Sequence, residues 1–191
     1  MTERTNSQDN YTPSSLSWDN GSVVDAGAVT LGDGTTGITG TISANNSLVG
    51  SSDNDQVGYG VFALTNGNYV VSSLDWDNGS VVDAGAVTFG NGMTGVTGLV
   101  SASNSLVGSS SSDQVGYDVT ALTNGNYVVS SSQWDNGSVV DAGAVTFGDG
   151  TTGVTGLISV SNSLIGSSDY DQVGGFYGTV TALTNGNYVA R

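Results

Sequence analysis

The sequence predicts an all-β chain made of three tandem copies of one unit of about 58 residues. Three observations predict it. Trp18, Trp76 and Trp134 fall at a constant spacing, and the segment Trp-Asp-Asn-Gly-Ser-Val-Val-Asp-Ala-Gly-Ala-Val-Thr is identical at 18–30, 76–88 and 134–146. The apolar residues come in short runs of Val, Leu and Tyr bounded by Gly, Asn, Asp and Ser, the punctuation of strands and turns. No stretch carries an i, i+3, i+4, i+7 pattern of helical length, and the 30 Gly are spread too evenly for a helix to survive.

Four strands are predicted per unit, taken here in the middle copy: roughly Val57–Thr65, Asn68–Ser73, Ala84–Phe89 and Asn104–Ser109. The first two are joined through Asn66-Gly67, a dipeptide suited to a type I′ hairpin turn in which both residues take positive φ. It recurs as Asn124-Gly125 and Asn185-Gly186. The third and fourth strands carry Gly-Ala-Val-Thr and Asn-Ser-Leu-(Val/Ile)-Gly-Ser-Ser, the latter at 46–52, 104–110 and 162–168. Asp-Gln-Val-Gly follows at 55–58, 113–116 and 171–174. Tyr11 stands one period before Tyr69, so 10–15 reads as a worn first copy of 68–73, with Pro13 marking an edge or a strand start. Tyr188 comes three residues late, which places an insertion around Phe176, Tyr177 and Gly178, in a loop. The expected division is a lead-in at 1–13 and repeats at 14–71, 72–129 and 130–191.

Charge narrows the function classes. The chain carries a net −15, from 17 acidic residues against Arg4 and Arg191, and has no Lys, His or Cys. Nucleic acid, nucleotide phosphates and anionic membranes all call for cationic side chains, so none is an expected partner. No run reaches the length of a membrane span, and the first ten residues lack the apolar core of an export signal. Without Cys there are no disulfides or thiolate zinc sites. Without His, Lys or Cys the usual general base, amine and thiol nucleophiles are missing, which leaves only an Asp pair for catalysis. Apart from loop variants, the Asp of the repeats occur in triplicate, whereas an active site is one asymmetric constellation. The chain is expected not to be an enzyme.

A unit reading strand, tight turn, Tyr-Val-Val-Ser-Ser, an Asp/Asn/Gly loop, Gly-Ala-Val-Thr-Phe and then Gln-Val-Gly-Tyr resembles the FG-GAP blade of integrin-α-type β-propellers, over nearly the whole chain. Val57-Gly58-Tyr59, Val70-Val71-Ser72-Ser73 and Ala84-Gly85-Ala86-Val87 hold the corresponding places. The family's calcium loop is replaced by Thr65-Asn66-Gly67-Asn68, which has no carboxylate, so its calcium sites do not carry over. The unit is also similar to repeats of large bacterial surface or secreted proteins, which implies an extracellular or cell-surface setting. The resemblance implies three four-stranded blades of β-propeller type, with a threefold β-prism or β-trefoil as the alternative.

Three blades are fewer than the four to eight that close a ring. Self-association, with a dimer giving six blades as the favoured oligomer, or excision from a longer array is therefore expected, ahead of a threefold fold closed within one chain. Function is expected to be structural or adhesive, through protein or glycan contact. The alternative is a lectin-like module with one glycan site per repeat, stacked on Trp18, Trp76 and Trp134, unless those rings serve packing. The loops holding Asp19 and Asp25, Asp77 and Asp83, and Asp135 and Asp141 offer oxygen ligands that would suit calcium. The competing reading is that Asp77 and Asn78 form Asx turns and Asp83 caps the start of a strand. No other cofactor is expected. Asp53 with Asp55 forms a second, weaker acidic pair, read as solvated because Ser111 stands where Asp53 would recur.

Overall fold

The computed structural model describes residues 14–175 and 180–191, and every described element is a strand or a turn. The worn strand around Tyr11 and the insertion around Phe176 lie outside the described residues. No described helix is long and apolar enough to cross a membrane.

The second sheet shows the unit in full. Gly60–Ala63, Tyr69–Ser73, Ala86–Gly90 and Ser105–Val107 form an antiparallel meander, each strand paired to the next. The third sheet repeats it with Asp118–Ala121, Tyr127–Ser131, Ala144–Gly148 and Ser163–Ile165. The first sheet comprises Ser14–Ser15, Ala28–Val29 and Leu48–Val49. Val180–Ala182 and Tyr188–Ala190 form a C-terminal hairpin that corresponds to the first two strands of a fourth sheet. The described sheets form no closed barrel.

A fifth strand was not expected. Gly98–Leu99 runs parallel to Leu48–Val49 of the preceding repeat, and Gly156–Leu157 runs parallel to Leu106–Val107 in the same register. Each repeat thus lends a short strand to the sheet before it. The Gly-rich stretch carrying this strand has no alternating pattern, so no strand was predicted there.

The sheets pack face to face. Because successive side chains point to opposite faces, Val70 joins Tyr127, Val129 and Val119 of the third sheet, while Val71 joins Val29 and Leu48 of the first. Val128 and Val145 meet Val180 of the C-terminal hairpin. This is why Tyr-Val-Val-Ser-Ser is apolar without alternation: both faces of an inner sheet are buried. Between the strands the buried Thr88 hydroxyl pairs with that of Ser105 at 2.7 Å, and the Ser72 hydroxyl donates to the Gly116 carbonyl at 2.6 Å.

The hairpin turn differs from the I′ expectation. Gly67 has positive φ but Asn66 does not. Leu64 O accepts from Gly67 N at 3.1 Å and Leu64 N donates to Asn68 O at 2.8 Å, which matches a three-residue loop of a turn followed by a left-handed glycine. The Asn66 side chain explains the change. Its Oδ1 accepts from Asn68 N at 3.1 Å, and its Nδ2 donates to the Gly150 carbonyl, just past Ala144–Gly148 of the third sheet, at 2.7 Å. The tips also stack, Thr65 Oγ1 donating to Leu122 O and Thr123 Oγ1 to Leu183 O, both at 3.3 Å.

Candidate functional site

The segment that recurs without change, Trp-Asp-Asn-Gly-Ser-Val-Val-Asp-Ala-Gly, folds as a closed loop. In the second repeat Asn78 and Val81 bond to each other through both backbone groups, Gly85 N donates to Trp76 O at 3.0 Å, and Asp83 N donates to Asp77 Oδ1 at 2.9 Å. Asp25 to Asp19 and Asp141 to Asp135 repeat the last bond at 2.9 and 2.8 Å. Asp25, Asp83 and Asp141 sit in the left-handed region, with φ of 50, 53 and 47°. The glycine two residues on is required: a Cβ on Gly27, Gly85 or Gly143, all at positive φ, would overlap the backbone of Val57, Val115 or Val173.

Three of the six carboxylates considered for calcium, those of Asp19, Asp77 and Asp135, are therefore turn acceptors, while Asp25, Asp83 and Asp141 enter the same bonds through their backbone amides. One oxygen of Asp19, Asp77 and Asp135 holds an amide of its own loop. Burial, and then the neighbouring Asp77 or Asp135 charge, holds Asp83 and Asp141 above the usual carboxylate range. Among the described residues no group of three or more Asp, Glu, His or Cys side chains converges as a metal site.

Beside the second and third of these loops lies a carboxylate to which the sequence reading gave no structural part, although Asp55 stood in its second acidic pair. Asp55 and Asp113 are fully buried, with no cation near them. Asp113 Oδ2 accepts from Ser109 N and Ser110 N at 2.7 and 2.8 Å. Its Oδ1 accepts from Asp135 N, in the Trp loop of the next repeat, at 3.0 Å. Asp55 does the same with Ser51 N, Ser52 N and Asp77 N at 2.6, 2.8 and 2.9 Å. Burial raises the pKa of both against the pull of the three amides. Far from being solvated, Asp55 is a clasp between repeats. Asp53, by contrast, is exposed and accepts from Val24 N at 2.8 Å. The clue in the sequence was Ser-Ser-x-x-Asp in all three copies, the spacing at which a carboxylate caps amides three and four residues back.

Trp76 and Trp134 are 3% exposed, against Val57 and Val71 and against Val115 and Val129 respectively, and their Nε1 atoms have no hydrogen-bond partner. A sugar needs an open ring face, and these rings present none. Trp18, in the first repeat, is half-buried.

The third repeat completes the series with its counterparts uncovered. Asp171 keeps its amides from Ser167 and Ser168 at 2.9 Å, but it is exposed, and those bonds hold its carboxyl below the ordinary range. Val173 is half-buried where Val57 and Val115 are fully buried. Leu164 is 60% exposed, while Leu48 and Leu106 are at 0%.

One groove, of about 640 Å³, opens between the first two repeats, lined by Leu31, Asp33, Asn46, Met93, Thr94 and Val96 among others. It contains no Trp, and Asp33 spends one oxygen on the amides of Thr35 and Thr36.

A search of curated proteins gives no match. The family described as "Repeat of unknown function (DUF5650)" matches at residues 5–59, 63–117 and 121–175, in the same step as the tryptophans. Those matches span most of the chain and carry nothing that indicates FG-GAP or integrin-α identity. With three matches in register with the clasped Trp loops, the chain belongs to the DUF5650 repeat family.

Proposed function

We propose that this chain is a non-catalytic structural repeat segment that works by assembly: repeats stack through the Trp loop and its carboxylate clasp, and copies of the chain associate to complete the array. The observation that carries this reading is the contrast between equivalent residues. Leu48, Leu106, Asp55 and Asp113 are buried by the next repeat, whereas Leu164 and Asp171 stand exposed. Surface of that kind favours association. The stacked, four-stranded units suit a blade-like arrangement of the FG-GAP type, and two chains would supply six such units, within the range of closed rings. An adhesive role would use the surface of the completed array.

The Trp-centred glycan reading loses support from the covered rings of Trp76 and Trp134.

Sedimentation equilibrium at physiological salt tests the proposal. The expected result is a concentration-dependent mass of two chains or more. A strict monomer up to about 100 μM, a concentration at which most specific interfaces are populated, would overturn it.

A further inference from the structure

Resting on that reading, we propose that the partner is a second copy of this chain and that the contact is head to tail: the first repeat of one copy docks on the third repeat of the other. Two junctions inside the chain define what a docking repeat does. At each, a short parallel strand adds to the preceding sheet, with Leu48 opposite Gly98 and Leu106 opposite Gly156. At each, a buried Trp covers a Val of the repeat before it, and the amide of the following Asp enters that repeat's carboxylate.

The third repeat offers the accepting half of this junction a third time. Ser163–Ile165 is the counterpart of the strands that receive Gly98–Leu99 and Gly156–Leu157, and the described sheet ends at it. Asp171 and Val173 stand in the places of Asp113 and Val115 and are partly or fully open to solvent. The first repeat offers the donating half. Gly40 and Thr41, the counterparts of Gly98 and Leu99, are exposed, and so is Asp19, beside a half-buried Trp18. Joined in the internal register, Leu164 lies opposite Gly40 of the second copy and Ile165 opposite its Thr41. Trp18 of the second copy covers Val173, and its Asp19 amide enters Asp171.

Such a contact joins two different surfaces. It therefore closes only as a ring, two chains sharing six sheets being the smallest, or else propagates as a filament.

The chain has no Cys, so engineered thiols report without background. Thr41→Cys and Ile165→Cys are made as separate variants, mixed and oxidised, with sedimentation run in parallel, in salt high enough to screen the −15 charge. Val107→Cys with Leu157→Cys in one chain is the internal control, because that pair is in register. The expected result is a cross-linked species in the mixture and none in either variant alone. Leu164→Lys, a change at an exposed position, is expected to weaken association at least tenfold and keeps the test decisive if Ile165→Cys fails to fold. Association undiminished by Leu164→Lys, or cross-linking of either single variant with itself, would overturn the head-to-tail address and leave self-assembly standing. Absence of association in the unmodified chain would overturn both.

Discussion

Asp113 and Asp171 occupy the same place in adjacent repeats and differ chiefly in what covers them, so Asp113→Ala against Asp171→Ala measures the inter-repeat clasp. Asp113 accepts three amides at 2.7 to 3.0 Å from inside the protein, one of them from the next repeat. Asp171 accepts two, at 2.9 Å, in the open. A hydrogen bond to a charged group contributes about 1.5–3 kcal/mol, and an amide left without an acceptor in the interior costs about 1–3 kcal/mol. The three amides around Asp113 are part-buried, so water recovers some of that loss. Removing a buried, unpaired charge also returns part of its desolvation cost, which leaves about 2–4 kcal/mol for Asp113→Ala. The exposed Asp171→Ala should lose no more than about 1 kcal/mol. Urea unfolding followed by far-UV circular dichroism, at protein concentrations low enough to hold the chain monomeric, gives both differences from the midpoint at constant m. Equal losses for the two variants would refute the clasp, because the amide contacts within the repeat are common to both and only the burial and the Asp135 amide separate them.

Gly85→Ala should lower stability by about 3 kcal/mol or more, because the left-handed backbone and the overlap of a Cβ with Val115 act together; a loss under about 1 kcal/mol in the same assay would contradict the loop geometry. Thermal stability should rise as the pH falls from neutral toward the ordinary Asp value of 3.8. Asp55 and Asp113 have raised pKa values in the folded chain, so their contribution is complete below 3.8 and is lost as the pH rises through those raised values. Asp33, Asp149 and Asp171 have lowered values and act oppositely, their contribution failing only below 3.8, so the maximum falls near that value. A melting temperature that drops steadily between neutral pH and 4 would reverse the assignment. Adding calcium at about 1 mM, or chelator, should leave the melting temperature unchanged, since one oxygen of each of Asp19, Asp77 and Asp135 is engaged with an amide and no three carboxylates converge among the described residues; a rise of several degrees with calcium would restore the metal reading of Asp77 and Asp83.

The sequence by itself determined the period, the all-β class and the four strands of the unit, because these rest on local chemistry. Val-Val beside Asn-Gly prefers an extended run and a turn wherever the chain goes, and identical segments in one chain must fold alike. The observed strands of the second sheet, Gly60–Ala63, Tyr69–Ser73, Ala86–Gly90 and Ser105–Val107, all fall on the predicted runs, trimmed or shifted by no more than a few residues. The tertiary structure alone decided what joins one copy to the next. The parallel strand at Gly98–Leu99 has no pattern of its own and exists because Leu48–Val49 offers it an edge. Asp55 looks like surface in a list of residues and becomes interior because the next repeat's Trp loop closes over it. Asn66 leaves the expected turn conformation because its side chain has a partner in another repeat, at Gly150. All three depend on contacts between residues far apart in the chain, and a local reading carries no term for that energy.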